Sequence, residues 1–322
     1  MRNLARYRAA ARDTTLALTF LGMIGVGVAS TIGFGGAWWW FFDLFAHFRV
    51  QYLVLACLFV APLALTKRWR ALAGAAALVV LNGAVVLPSM LASPAAAARD
   101  AEPLRIVSFN VHAENGRTSE IADYLRQSDA DVIALLEVRS ETLSAITSLL
   151  LEYEVVSEPR PDNFGIAVLS RRAIARQTIH HVGDSHLPAI EVAIEHDGGV
   201  IDILAIHPMP PIGGEGSRER DRVLASAAAW AADHSRTGVI VGDFNATPWS
   251  AAFRSLIATS KFVSSHRGFA VQATWPRQLR FLAIPIDHCI HSRRLTTLSR
   301  RAGPFLGSDH RPLHVELARR AD

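Results

Sequence analysis

Eight polar residues stand where strand-like segments of the sequence run out. Asn110 lies near the end of Arg105–Val111, and Glu137 near the end of Asp131–Val138. His207 closes Val200–His207, and Asp243 and Asn245 close Val239–Asn245. Asp287 lies in Pro285–His291, and Asp309 and His310 lie in the run Gly307–Leu313. Binding and catalytic residues concentrate on such loops because a rigid scaffold positions them. Carboxylate and amide oxygens suit a hard cation, and imidazoles exchange protons near neutral pH. Taken singly, each residue also has a structural reading. An Asp or Asn after a strand caps a helix or makes an Asx-turn. Glu137 fits a solvated strand end, His207 before Pro208 an ordinary loop histidine, and Asp287 a surface partner for Arg293 or Arg294. As an ordered set of eight, common chemistry outweighs coincidence. His112, His180, His181, His186, His266, His288 and His291 are assigned to surfaces or loops, outside the set. Asn163 in PDNFG and Trp275 in ATWP are candidates for shaping a substrate pocket, against turn or packing roles.

The elements that must position these groups are legible from periodicity. Ser119–Ala130 and Ser217–His234 have helical patterns, and Gly165–Ser170 reads as a strand. Ala189–Glu195 and Val200–His207 flank Asp197-Gly198-Gly199, a hairpin signal. Asp309–Ala318 closes the chain with apolar/polar alternation. Many strands, some in hairpins, mixed with a few helices predict a mixed α/β sandwich and not a doubly wound parallel sheet.

Gly242-Asp243-Phe244-Asn245 followed by Thr247-Pro248, and later Ser308–Leu313 (SDHRPL), resemble in that order the endonuclease/exonuclease/phosphatase superfamily. That superfamily includes pancreatic-type DNases, abasic-site endonucleases, inositol-polyphosphate 5-phosphatases and neutral sphingomyelinases. The resemblance spans about residues 104–318 and implies an αββα sandwich of four layers. It also implies roles. Glu137, with Asn110 beside it, would bind a catalytic Mg²⁺, for which Mn²⁺ can substitute. Such an ion needs only one or two carboxylates plus substrate phosphate and water. Asp309 would support the metal–water network. Asp243 would orient or deprotonate the attacking water, and Asn245 would hold a phosphate oxygen. His310 would be a general acid/base or phosphate contact, with Asp287 fixing its tautomer. His207 would be a second phosphate contact; abasic-site endonucleases carry tyrosine there.

Length and composition place these motifs in the second of two parts. The chain has 322 residues, half of them hydrophobic and 19% charged, with a mean hydropathy of +0.22. This excludes a disordered, collagen-like or coiled-coil protein. Residues 1–100 carry a net charge of +6 and the remainder −2, so the second part lacks the broad basic footprint of a general nucleic-acid binder. Its cysteine, Cys289, has its one possible partner, Cys57, in the first part, and no Cys/His cluster has zinc spacing. Three apolar stretches, about 14–36, 46–66 and 71–92, predict a bundle of three transmembrane helices. The run Trp38–Phe42 suits an interfacial belt. Arg2, Arg6, Arg8 and Arg12 before the first stretch, and Lys67, Arg68 and Arg70 before the third, place the N-terminus in the cytoplasm. Three crossings then put the second part outside. The expected organisation is 1–92 membrane region, 93–103 linker and 104–322 catalytic domain.

Anchoring beside a bilayer bears on substrate. The arrangement resembles a bacterial group of membrane-bound superfamily members, some associated with glycopeptide resistance and with dephosphorylating the undecaprenyl pyrophosphate carrier lipid. It implies a multi-pass protein of the bacterial plasma membrane. Met209–Gly216 (MPPIGGEG), next to His207, is a partly apolar loop suited to a headgroup plane. The first expectation is an extracytoplasmic Mg²⁺-dependent phosphohydrolase acting on a phosphate ester or pyrophosphate of a lipid-linked substrate. The second is an extracytoplasmic nuclease. The third is a catalytically silent envelope-binding module.

Overall fold

The computed structural model describes residues 2–321. The chain divides into two compact units, residues 1–88 with 249–251, and residues 89–248 with 252–322.

The first unit is helical. Helix α1 spans Arg2–Ile32 and runs into a 3₁₀ turn, Gly33–Ala37; α2 spans Trp40–Ala46, α3 Arg49–Leu65 and α4 Trp69–Met90. Two segments, 10–37 and 69–90, are long and apolar enough to cross a membrane. The expectation of three spans is therefore met only in part. The middle one is broken, because α2 and α3 meet at 54° and count as a third span only if taken together. Inside this unit Ser30 and Asn82 exchange side-chain hydrogen bonds, and Arg49 Nη1 donates to Asn82 Oδ1 at 3.3 Å. Such buried polar contacts hold apolar helices together where burial alone gives no preference for a partner.

The second unit is a mixed α/β sandwich of two six-stranded sheets. Its strands are β1 Leu104–Asn110, β2 Val132–Leu136, β3 Glu154–Glu158, β4 Ile166–Ser170, β5 Ile174–Val182, β6 Leu187–His196, β7 Gly199–Ile206, β8 Gly238–Asp243, β9 Val263–Ser264, β10 Asp287–His291, β11 Leu295–Ala302 and β12 Leu313–Arg319. One sheet runs β11-β12-β1-β2-β4-β3, the other β5-β6-β7-β8-β10-β9. The core between them is aliphatic and comes from alternate residues of both, such as Ile106, Ala134 and Val168 from the first and Val192, Ile203 and Val241 from the second. Residues of the opposite parity pack outward onto helices. On the first sheet, Phe109, Ile133 and Leu169 meet α5 (Thr118–Gln127) and α6 (Ser140–Thr147). On the second, Leu204 and Ile240 meet α7 (Gly213–Asp233) and α8 (Ala251–Ser260). Because both faces of the central strands are covered, β2 (VIALL) is apolar at every position. In α7 the buried Val223, Leu224, Ala227, Ala228 and Ala231 form one helical stripe.

Each sheet contains one parallel pair joined by a helical crossover: β1 and β2 through α5, β7 and β8 through α7. Asn110 at the end of β1 donates to Asp243 at the end of β8, so the carboxyl ends of all four strands open at the same end of the sandwich, where crevices between strands and loops receive ligands. The segment read as a linker is not a free tether. Ala97 bridges Arg320, Ala98 N donates to Arg319 O, and Ala321 N donates to Ala96 O, so it lies along the second unit.

Candidate active site

Sheet register alone sets two carboxylates side by side. Asp243 ends β8, Asp287 begins β10, and the two are cross-strand partners. Immediately before Asp243, Gly242 has φ +146°, and a Cβ there would lie 2.0 Å from Ile206 O. Only glycine admits this approach of β7 and β8, which brings His207 to the same place. Asn110, ending β1, joins the two sheets: its Nδ2 donates to Glu137 Oε1 at 2.8 Å and to Asp243 Oδ2 at 3.3 Å. Glu137, Asn245 and His112 all have left-handed backbone, with φ of +58°, +48° and +64°. Non-glycine residues held this way cluster at functional sites, where tight turns aim the side chains.

His310 is held from both sides. Its Nδ1 donates to Asp287 Oδ2 at 2.9 Å, and its Nε2 lies 3.6 Å from Asp243 Oδ2. Ser308 Oγ accepts from His310 N and donates to Asn110 O, which ties this loop to β1. Burial pushes the Asp243 carboxyl up, but His310, His207 and the Asn245 N–H outweigh it and hold the group below the ordinary aspartate range. Burial lifts Asp287, against the pull of His310 and with the push of Asp243. Burial disfavours charge on His310, yet Asp287, Asp243 and Asp309 more than reverse this and raise it well above the ordinary imidazole range. At neutral pH the site thus pairs an ionised carboxylate with an imidazolium, the separation that general acid/base chemistry needs.

A pH test arises here. His310 stays protonated through neutral pH and loses its proton on the alkaline side. Asp287→Asn removes its nearest negative charge, so the alkaline fall of kcat is expected to move toward neutral pH. kcat should also drop by about 10²-fold, within the range of a general acid/base contribution. A pH–kcat profile that superimposes on the native one would contradict this pairing.

The remaining expected residues fall as follows. His207 Nε2 is 3.6 Å from Asp243 Oδ2, and its ring packs on Phe164 at 5.5 Å between centroids. Asn245 donates its backbone N–H to Asp243 Oδ1 and one amide proton to Pro208 O, and among the described contacts its second amide proton has no acceptor. Trp275 Nε1 donates to Asp309 Oδ2 at 2.9 Å. Asn163 is exposed, and among the described contacts it reaches none of the other site residues; its neighbour Phe164 does. His112, set aside as a loop histidine, stands between two site carboxylates, with Nδ1 3.6 Å from Glu137 Oε2 and 3.8 Å from Asp309 Oδ1. His288 and His291, also set aside, are buried in β10. Thr274 was missed as well: its hydroxyl accepts from the Ile286 and Asp287 N–H groups. Its position beside the Trp275 already singled out was the one available signal.

A divalent cation suits this chemistry. Glu137, Asp243, Asp287 and Asp309 bring four carboxyl groups to one end of the sandwich, where they face the imidazoles of His112, His207 and His310, and the buried Arg300 guanidinium donates to Asp287 O at 3.3 Å. Asn110, Glu137 and Asp309 offer oxygen donors. The side chains of Glu137 and Asp309 are 12% and 28% exposed, which leaves room for an ion that keeps part of its water. Asp243, Asp287 and His310 also bring potential ligand atoms within 4.8 Å of one another. An ion among them would have to displace the proton shared by His310 and Asp287, so an acid/base reading fits them better. Glu191, Asp202 and His234 form another such group on the outer face of the second sheet. There Arg176 already supplies a cation, 2.8 Å from Asp202 and 3.7 Å from Glu191.

A family model described as "Endonuclease/Exonuclease/phosphatase family" matches residues 107–310. No curated protein sequence matches the chain. Solved structures do. An endonuclease/exonuclease/phosphatase family protein from Bacteroides thetaiotaomicron is 18% identical with TM-score 0.57, covering 69% of this chain and all of its own. A mannosyl-6-phosphatase from Bacteroides thetaiotaomicron VPI-5482 is 18% identical with TM-score 0.56, covering 66% of this chain and 99% of its own. Sphingomyelinase C from Streptomyces griseocarneus is 16% identical with TM-score 0.52, covering 67% and 99%. At this identity the structures speak for the fold.

Proposed function

The chain belongs to the endonuclease/exonuclease/phosphatase family of phosphoester hydrolases, and we propose that it is a membrane-anchored, extracytoplasmic, Mg²⁺-dependent phosphohydrolase whose substrate is a lipid-linked phosphate ester or pyrophosphate. The observation that carries this reading is the gathering of Asn110, Glu137, His207, Asp243, Asp287, Asp309 and His310 at the end of the sandwich where the parallel strands terminate.

Asn110, Glu137 and Asp309 would hold the metal ion. When bound, it neutralises charge that builds on the phosphoryl oxygens. Asp243, ionised and beside His207 and His310, orients the attacking water and accepts its proton. The second amide proton of Asn245 and the imidazole of His207 hold phosphoryl oxygens. His310, protonated and fixed by Asp287, donates to a phosphoryl oxygen or to the leaving group. Trp275 fixes the Asp309 carboxylate by its indole N–H.

The substrate class rests on the apolar helices and on a catalytic part whose net charge is −2, which disfavours a nucleic-acid backbone. The purified full chain, offered a lipid pyrophosphate, a lipid phosphate monoester, a nucleotide panel and DNA, is expected to release phosphate fastest from a lipid substrate. Faster cleavage of DNA would favour the nuclease instead.

Sidedness depends on the middle helix pair. With two crossings the catalytic part lies on the side of the N-terminus; with three it lies opposite. α3 alone has 17 residues, about 26 Å at 1.5 Å per residue, short of about 30 Å of hydrocarbon, so α2 must complete the span. Alkaline phosphatase fused after residue 322 is expected to be active outside the cell; fluorescence from a cytoplasmic reporter at the same point would contradict three crossings.

A further inference from the structure

The segment from Trp275 to Ile284 is an arm fixed at its base to the candidate site. Trp275 and Ile284 exchange backbone hydrogen bonds and close it, and a 3₁₀ turn, Arg280–Leu282, lies near its far end. At the base, Trp275 Nε1 and Arg277 N both donate to Asp309, one to its carboxylate and one to its carbonyl. Beyond the base, Leu279 is 47% and Phe281 74% exposed. Arginines alternate with them: Arg277, which lies over the Phe305 ring, and Arg280. Arg280 also lines a cleft of about 670 Å³ with Arg301 and Arg311, and no acidic residue lines it. A third exposed apolar side chain, Ile212 at 83%, follows His207 at the same end of the sandwich.

Single exposed apolar residues are ordinary on protein surfaces. Here two large ones lie within three residues, with Arg280 between them and Arg277 two residues before, on a part of the chain whose net charge is −2. Apolar tips flanked by long basic side chains suit the boundary of an anionic bilayer, with the rings in the acyl layer and the guanidinium groups among phosphates. A water-soluble phosphate would need the arginines but not Leu279 or Phe281. We propose that the arm seats the catalytic end of the sandwich on the headgroup surface of an anionic bilayer, with Leu279 and Phe281 in the apolar layer and Arg277 and Arg280 at the phosphates. This deepens the proposed function and rests on its reading of the N-terminal helices as membrane spans. The substrate phosphate would then be met at the headgroup plane, beside Asp309.

The test uses the full chain in vesicles of phosphatidylethanolamine and phosphatidylglycerol, with Cys57→Ser and a nitroxide label on Phe281→Cys. Leu151→Cys is the control: it is 85% exposed and precedes β3, which runs with β2 and so starts at the end remote from the site. On transfer from detergent to vesicles, the ratio of oxygen to nickel-chelate accessibility is expected to rise severalfold at 281 and to stay unchanged at 151. It should rise less in phosphatidylcholine vesicles; an equal rise there would remove the arginines' part. If the chain resists alkaline extraction while the label at 281 remains as aqueous as that at 151, the arm is refuted and the anchoring stands. If alkaline extraction strips the chain from the vesicles, the anchoring fails and the arm with it.

Discussion

Asp243→Asn is expected to lower kcat by about 10³- to 10⁴-fold, at the upper end of what a positioned general base contributes. The change is nearly isosteric, so the fold should survive. The amide cannot accept a proton from water, and one of the charges that favour protonated His310, after that of Asp287, is lost with it. Asn110, which donates to Asp243 and Glu137 alike, would also lose its anionic partner in the second sheet. Three functions of one carboxylate fail together, so the loss should exceed that of any neighbour. Phosphate release under single-turnover conditions, with near-ultraviolet circular dichroism to verify folding, measures it. A loss smaller than tenfold would show that Asp243 is not the base.

Chelation is the second large effect. EDTA is expected to reduce phosphate release to the uncatalysed background, and Mg²⁺ or Mn²⁺ to restore it. Four carboxyl groups outnumber the His310 imidazolium and the buried Arg300 guanidinium, and would repel an anionic phosphate unless a further cation offset them. Glu137→Gln keeps the side-chain shape but removes one negative charge, so the Mg²⁺ concentration for half-maximal rate should rise at least about 10-fold, a loss of roughly 1.4 kcal/mol in binding. Release that persists in chelator would refute the metal-dependent reading.

Elements with a continuous apolar run or a clear period were legible in the sequence: β1, β2, β4, the β6–β7 hairpin, α5, α7, β8, β10 and β12 all lie within a few residues of their expected places. Asp197 and Gly198 both have positive φ, as the hairpin signal required. The edge strands were not legible. β5 exposes Arg176, Gln177 and Thr178, and β11 carries Ser299, Arg300 and Arg301, so neither shows an apolar alternation. Charged edges resist pairing with other chains, and that same property hides them from pattern reading. The convergence of the site residues follows from two parallel pairs with helical crossovers, which no local window contains. His112 was set aside because its position between Glu137 and Asp309 comes from a left-handed turn after β1. The middle apolar segment was read as one helix because hydropathy averages over the bend between α2 and α3.

The most direct measurement is a Mn²⁺ titration of the purified full chain, followed by electron paramagnetic resonance, in the native protein, Glu137→Gln and Glu191→Gln. It needs no substrate and compares the strand-end site with the cluster on the outer face of the second sheet. The expected result is Mn²⁺ binding that Glu137→Gln weakens at least about 10-fold and Glu191→Gln leaves unchanged. Binding lost with Glu191→Gln and retained with Glu137→Gln would place the ion away from Asp243 and His310, and no metal-dependent hydrolysis at the strand ends could then be maintained.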